Sequence, residues 1–240
     1  GPIIPLLSGW IIYTRRQDFL VAREEGGNFW GVPVVLVCLG IHGWATLRDV
    51  NFPQGFAMIG VIAGLALLLW GWERAKILSF PIAFLCFMVP VGRLLVTKLS
   101  NPLQIGSAAV AARVPMLLGV PTQVHGTTIV IPDYTFEVAQ ACSGLKSIIA
   151  MTALAALFTY LVVAPMYKRV ILLAASVPVA LAANSCRIAF TLILGRSFGP
   201  AAAEGFFHSL SGIMVFLLGL AGLLLVAKAL KCEAMREDIM

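Results

Sequence analysis

CSGLKSIIAMTALAALFTYLVVA, residues 142–164, sets a cysteine, two serines, a glycine and a lysine at the mouth of an apolar run that carries no charge from Ser147 to Ala164. At ~1.5 Å per residue, such a run has the reach of a ~30 Å hydrocarbon core. Polar and ionisable groups at membrane depth are costly, so they default to a functional hypothesis. Two later segments carry the same burden: Asn184-Ser185-Cys186-Arg187 and Phe207-His208-Ser209.

The rest of the composition agrees with this run. The chain has 240 residues, of which 60% are hydrophobic and 12% charged. Its mean hydropathy is +0.96. Soluble domains hold about 25% charged residues, so this chain belongs in a bilayer. Closed barrels also span membranes, but their strands alternate apolar and polar residues. Here the apolar runs are continuous, which selects helices. The net charge of +6 does not imply nucleic acid, because Lys and Arg fall in small clusters between apolar runs. The five cysteines show no metal spacing, and the histidines are dispersed without acidic partners, so neither a metal site nor another cofactor is expected. A disulfide framework is not expected either.

Taken in order, the apolar runs predict about seven transmembrane helices in one bundle: 1–14, 29–47, 55–72, 77–96, 143–164, 170–194 and 206–227. The first reaches only ~21 Å, which reads as the remainder of a helix whose start is missing. The chain opens on Gly1-Pro2 rather than Met, so it is either trimmed or carries a processing scar. Residues 97–140 differ. Residues 100–118 read as an interfacial helix. Residues 124–131 and 134–138 then read as a β-hairpin turning at Pro132-Asp133. The whole is one integral-membrane domain, 1–240, with 97–140 as a small segment ahead of Cys142.

Basic residues orient it. Arg15, Arg16, Arg23, Arg74, Lys76, Lys168, Arg169, Lys228, Lys231 and Arg236, ten of the 17, fall on one side of this scheme. The positive-inside rule makes that side cytoplasmic and residues 97–140 extracytoplasmic. Cys142, Arg187 and His208 then lie at ~39, ~26 and ~30 Å above the inner loops, a scatter that helix tilt accommodates.

A thiol, a guanidinium and an imidazole near one level suit nucleophilic acyl transfer. The thiolate is the reactive form of cysteine, and free cysteine titrates near ~8.5. A helix N-terminus and the cation of Lys146, one turn on, favour that anion. His208 would take the thiol proton and return it to a leaving amine. Arg187, always charged, would stabilise an oxyanion. Asn184 shares a helical face with Arg187 and would orient it or His208. Each feature also has an inert reading: membrane cysteines are commonly small hydrophobes, arginines near helix ends snorkel, and Ser143 and Gly144 suit close helix packing.

Together, Val138-Ala139-Gln140-Ala141-Cys142-Ser143-Gly144-Leu145-Lys146-Ser147, then Asn184-Ser185-Cys186-Arg187-Ile188, then His208 before a terminal span, resemble the exosortase/archaeosortase family. The upstream Gly119-Val120-Pro121 and the opening Ile4-Pro5-Leu6 are similar too. The resemblance covers essentially the whole chain. It implies a cysteine transpeptidase or endopeptidase of the cytoplasmic (inner) membrane, with its active site on the extracytoplasmic side. Its partners would be exported proteins bearing a C-terminal sorting signal (a PEP-CTERM-like motif, a transmembrane helix and a basic tail), together with membrane lipid and no nucleic acid. It implies Cys142 as nucleophile, with Arg187 and His208 as partners. Asn184, Lys146, Ser143 and Gly144 form the supporting or substrate-binding set. The chain departs from the family where Lys146 replaces a common arginine and Gln140 a common acidic residue. The family also usually carries more membrane sequence upstream. A transporter and a non-catalytic assembly factor are the competing classes. The first predicts an inverted repeat, which the sequence lacks.

Overall fold

The computed structural model describes residues 3–23, 26–90, 93–117, 119–132, 134–138, 143–199 and 206–232, with the main chain alone at 93–95, 134 and 206–210. The chain divides into two compact units, one running through Arg93 and the other starting at Leu94.

The first unit contains α1 (Ile3–Thr14), α2 (Arg16–Val21), α3 (Gly31–Leu47), α4 (Asn51–Phe84) and a 3-10 turn at Leu85–Met88. Although α4 is continuous by hydrogen bonding, it is bent back on itself. Gly71 holds φ 73° and ψ −176° in its interior. A Cβ placed on Gly55 would stand 2.7 Å from Val89 Cγ1, whereas an unbroken helix would separate these residues by ~51 Å. The chain therefore reverses at Gly71 into two antiparallel arms, in a backbone region essentially reserved for glycine. Gly60 and Gly64 lie one turn apart on the first arm. Cβ atoms there would reach 2.5 Å from Cys38 Sγ and 2.8 Å from Val35 Cγ2, so the small residues let α3 pack close, the usual device where lipid removes the hydrophobic drive. On the second arm, Pro81 lies inside the helix, and its carbonyl accepts a buried 2.8 Å hydrogen bond from Ser8 Oγ of α1.

The span expected at 77–96 does not run through. Pro90 disfavours helical geometry in the preceding residue, and Val89 is extended at φ −65°, ψ 124°. Arg93 accordingly opens a new helix rather than closing the old one.

The second unit contains α5 (Arg93–Ala111, from Leu94), α6 (Arg113–Leu117), β1 (Gln123–His125), β2 (Thr128–Ile131), β3 (Tyr134–Glu137), α7 (Leu145–Leu161), α8 (Met166–Phe198) and α9 (Phe206–Ala229). The β-hairpin expected over 124–138 is a three-stranded antiparallel sheet, ordered β1-β2-β3. The run read as one strand breaks at Gly126, whose φ of +63° turns the chain so that His125 pairs with Thr128. Ile131 faces Tyr134 across the second connection, as the Pro132 turn signal implies. Ile129 and Ile131, alternating inward, pack with Ala108 and Ala111 of α5, the adjoining Ala112, and Ile188, Ala189 and Leu192 of α8.

A separate core of Met151, Ala155, Leu172, Ala180, Leu223 and Ala227 joins α7, α8 and α9. Gly219 and Gly222 bring α9 against Met151 and Val179. Lys168 and Arg169, expected in a loop, lie in the first turn of α8, because Pro165 caps the helix with a pre-set φ of −58°. The helix also runs past the expected end at 194, through Gly195 and Arg196, and stops at Gly199, φ +85°.

By length and composition, Asn51–Met88, Met166–Phe198 and Ser211–Ala229 are each able to cross a membrane, and Ile3–Thr14, Gly31–Leu47 and Leu145–Leu161 are shorter apolar helices. Among the described residues, then, three elements rather than seven reach that length unaided. The protein is nonetheless a helical integral-membrane protein with one small sheet. Substituting Gly71→Ala forces a side chain into a glycine-only conformation and should cost about 1–3 kcal/mol. Gly40→Ala, where nothing lies within 4 Å of the new Cβ, should cost nothing. Thermal denaturation of both variants in detergent checks the contrast.

Candidate functional site

Chemistry-bearing side chains concentrate in the second unit, around the start of α7. Gly144 caps this helix at φ 83°, ψ −6°. A Cβ there would lie 2.9 Å from Asn184 Nδ2 and 3.1 Å from Asn184 Cγ. Glycine is thus needed twice, for its left-handed backbone and for the close approach of α8. Ser143, one residue earlier, is buried. Its hydroxyl donates to Ser100 Oγ of α5 at 3.3 Å and accepts the Leu145 N–H at 3.4 Å. The helix proper begins with the Ile148 N–H donating to the Gly144 carbonyl at 2.8 Å.

On α8, Asn184 is 0% exposed and donates through Nδ2 to Ser107 Oγ at 3.5 Å. Arg187, one turn on, is 9% exposed, and its Nη2 is buried with no hydrogen-bond partner among the described residues. Removing a cationic donor from water without an acceptor costs at least ~1–3 kcal/mol, so this nitrogen is poised for an acceptor from outside the described residues. Thr191 Oγ1 donates to the Arg187 carbonyl at 3.0 Å and steadies that turn.

The expected site residues therefore separate into groups. Ser143, Gly144 and Asn184 are brought together, and Arg187 follows Asn184 on the same helix. Lys146 is exposed on α7. It lines a cavity of about 180 Å³ with Ser147, Ala150, Met151, Gly212, Val215 and Phe216. Gly212 is one turn beyond His208 on α9, so the start of α7 lies beside the second and third turns of α9. Cys142 lies outside the described residues. His208 lies in α9, with its side chain outside them. Of the other histidines, His42 Nδ1 meets the Gln54 carbonyl at 3.2 Å and the exposed His125 meets Gln123 at 3.4 Å. No cluster of three His, Cys, Asp or Glu side chains fit to hold a metal ion occurs among the described residues. Two larger cavities, of about 540 and 490 Å³, lie in the first unit and are lined almost wholly by apolar residues.

Sequence reasoning missed the part played by α5. Ser100, Gln104 and Ser107 fall at i, i+4 and i+7, one helical face. Gln104 Nε2 donates to the Val138 carbonyl at 3.1 Å, and the Val138 N–H donates to the Thr127 carbonyl at 2.9 Å. The polar spacing was visible within residues 100–118, but it also fits the wet face of an interfacial helix.

The Gly144–Asn184 contact is open to a direct check. Gly144→Ala should cost about 1–2 kcal/mol for its backbone alone, plus the overlap with Asn184. Asn184→Ala in the same chain should relieve the overlap, leaving the double variant more stable than the sum of the single losses by about 0.5 kcal/mol or more. A double-mutant cycle of thermal stability measures this coupling.

The family model of the transmembrane exosortases (Exosortase_EpsH) matches residues 1–225. No curated protein and no solved structure matches the chain. With nearly its whole length matched, the chain belongs to the transmembrane exosortase family.

Proposed function

We propose that this exosortase is a cysteine transpeptidase or endopeptidase that cleaves C-terminal sorting signals of exported proteins, in the manner implied by its family. The observation that carries the reading is the buried Arg187 Nη2, which has no acceptor among the described residues and lies one turn from the Asn184–Gly144 contact. Gly144 is two residues beyond Cys142. An oxyanion formed beside this helix start would meet a fixed cationic donor, the preorganisation from which acyl transfer gains most.

In this mechanism the Cys142 thiolate attacks the scissile carbonyl, and Arg187 holds the developing oxyanion. His208, the base that accepted the thiol proton, protonates the leaving amine. A thioester on Cys142 remains, to be resolved by an amine, a hydroxyl or water. The cavity between the start of α7 and the second and third turns of α9 supports His208, one turn before Gly212, as the third partner. Ser143, Gly144 and Asn184 set the geometry, and Lys146 supplies positive charge at the mouth.

The substrate helix would arrive through the bilayer and present its motif on the extracytoplasmic side, where positive-inside orientation puts residues 97–140 of this single membrane domain. We count seven crossings of the cytoplasmic membrane, taking the two arms that meet at Gly71 as separate spans.

Cys142→Ala should abolish processing of a co-expressed tail-bearing substrate without lowering the amount of protein in the membrane. Arg187→Lys, which keeps charge but loses the planar fork, should lower the processing rate about 100-fold or more. Full processing by Cys142→Ala would defeat the mechanism. In the wild-type protein, alkylation of Cys142 followed against pH should have its midpoint below the free-thiol value of ~8.5.

A further inference from the structure

Ser100, Gln104 and Ser107 each meet a different part of the chain around residues 139–142. Gln104 holds the carbonyl of Val138, the last described residue before that segment. Ser100 accepts from the hydroxyl of Ser143, the first described residue after it. Ser107 accepts from Asn184, which in turn packs on Gly144. One face of α5 is thus bonded on both sides of the segment that contains Cys142, and to α8 as well.

Close helix packing alone does not account for this face. Packing is served by small residues such as Ala108 and Ala111 on the same helix. Gln104 instead gives up rotamer freedom to place one amide N–H on a main-chain carbonyl. Ser100, 1% exposed, accepts the hydroxyl of Ser143. The Val138 N–H is held by Thr127, so the sheet and α5 fix the same residue through its two peptide groups.

We infer that Ser100 and Gln104 are positioning residues for Cys142, which hold the chain at Val138 and Ser143 on either side of the segment that contains it. The inference rests on the reading of Cys142 as the nucleophile. Neither residue touches the substrate; both act through Val138 and Ser143. A displacement of about 1 Å from mutation outside the reacting groups is enough to cost ~100-fold in a reaction that depends on orientation. Loss of the helix-start position also removes the influence that favours thiolate.

The test is site-specific alkylation of the full chain in detergent by iodoacetamide at pH 7, read by peptide mass spectrometry. Cys232, buried at 4% exposure, serves as the internal measure of folding. Ser100→Ala and Gln104→Met should each slow alkylation of Cys142 about tenfold while Cys232 stays unlabelled. Ser100→Thr, which keeps the hydroxyl, should restore the wild-type rate, a rescue that a general loss of packing would not give. If Gln104→Met exposes Cys232, Ser100→Ala, which removes only one oxygen, decides the matter. Wild-type rates in the folded variants would overturn the positioning role and leave the nucleophile reading intact. A wild-type Cys142 that alkylates no faster than a free thiol would overturn both.

Discussion

Between Gly144 and Asn184 there is no room for a side chain, and the left-handed backbone of Gly144 suits no other residue well. This contact fixes where α7 begins against the middle of α8. Much of the site follows from it. Asn184, pressed onto Gly144, reaches Ser107 on α5, while Arg187 occupies the next turn of its own helix. Ser143, held one residue before the glycine, turns its hydroxyl to Ser100. A helix start, a buried guanidinium and two hydroxyls of a third helix are thereby tied to one point in the chain.

The polar groups involved are expensive in a chain of this hydropathy, and their arrangement limits the cost. Ser100, Ser107, Ser143 and Asn184 are all nearly or wholly buried, and each has a hydrogen-bond partner. Arg187 differs, for its Nη2 has none among the described residues. A buried cationic nitrogen without an acceptor among the described residues is what an enzyme would need if an anion forms there only during reaction. Apolar packing keeps the frame rigid. The isoleucines of β2 lie on α5 and α8 beside the site, and the small residues of α9 draw that helix onto α7 and α8.

Much of this was legible from the sequence, because in a membrane the periodic signal is strong. Continuous apolar runs marked where helices lie, Pro165 marked the boundary of α7 and α8, and the β-rich stretch ahead of Cys142 is a sheet. The pairing of Asn184 with Arg187 on one face was also readable from spacing. What was not readable depends on tertiary geometry. A turn between the runs 55–72 and 77–96 was expected at the charges of residues 73–76, but the backbone reverses at Gly71, two residues earlier and inside the apolar run. Gly126 splits one apparent strand into two because its φ is positive. The polar face of α5 resembles that of an interfacial helix until Gln104 is seen on the Val138 carbonyl. Arg196 looked like a loop residue only because the apolar run ended before it, whereas the helix stops at Gly199.

In the proposed reaction, peptide cleavage passes through a covalent bond to Cys142. Co-expression with a tail-bearing substrate, rapid denaturation and peptide mass spectrometry measure it directly. A substrate-derived peptide joined to Cys142 through a thioester that hydroxylamine releases is expected, as is its disappearance in the Cys142→Ala protein. Acylation of a different residue, or substrate cleavage that continues in the Cys142→Ala protein, would contradict it.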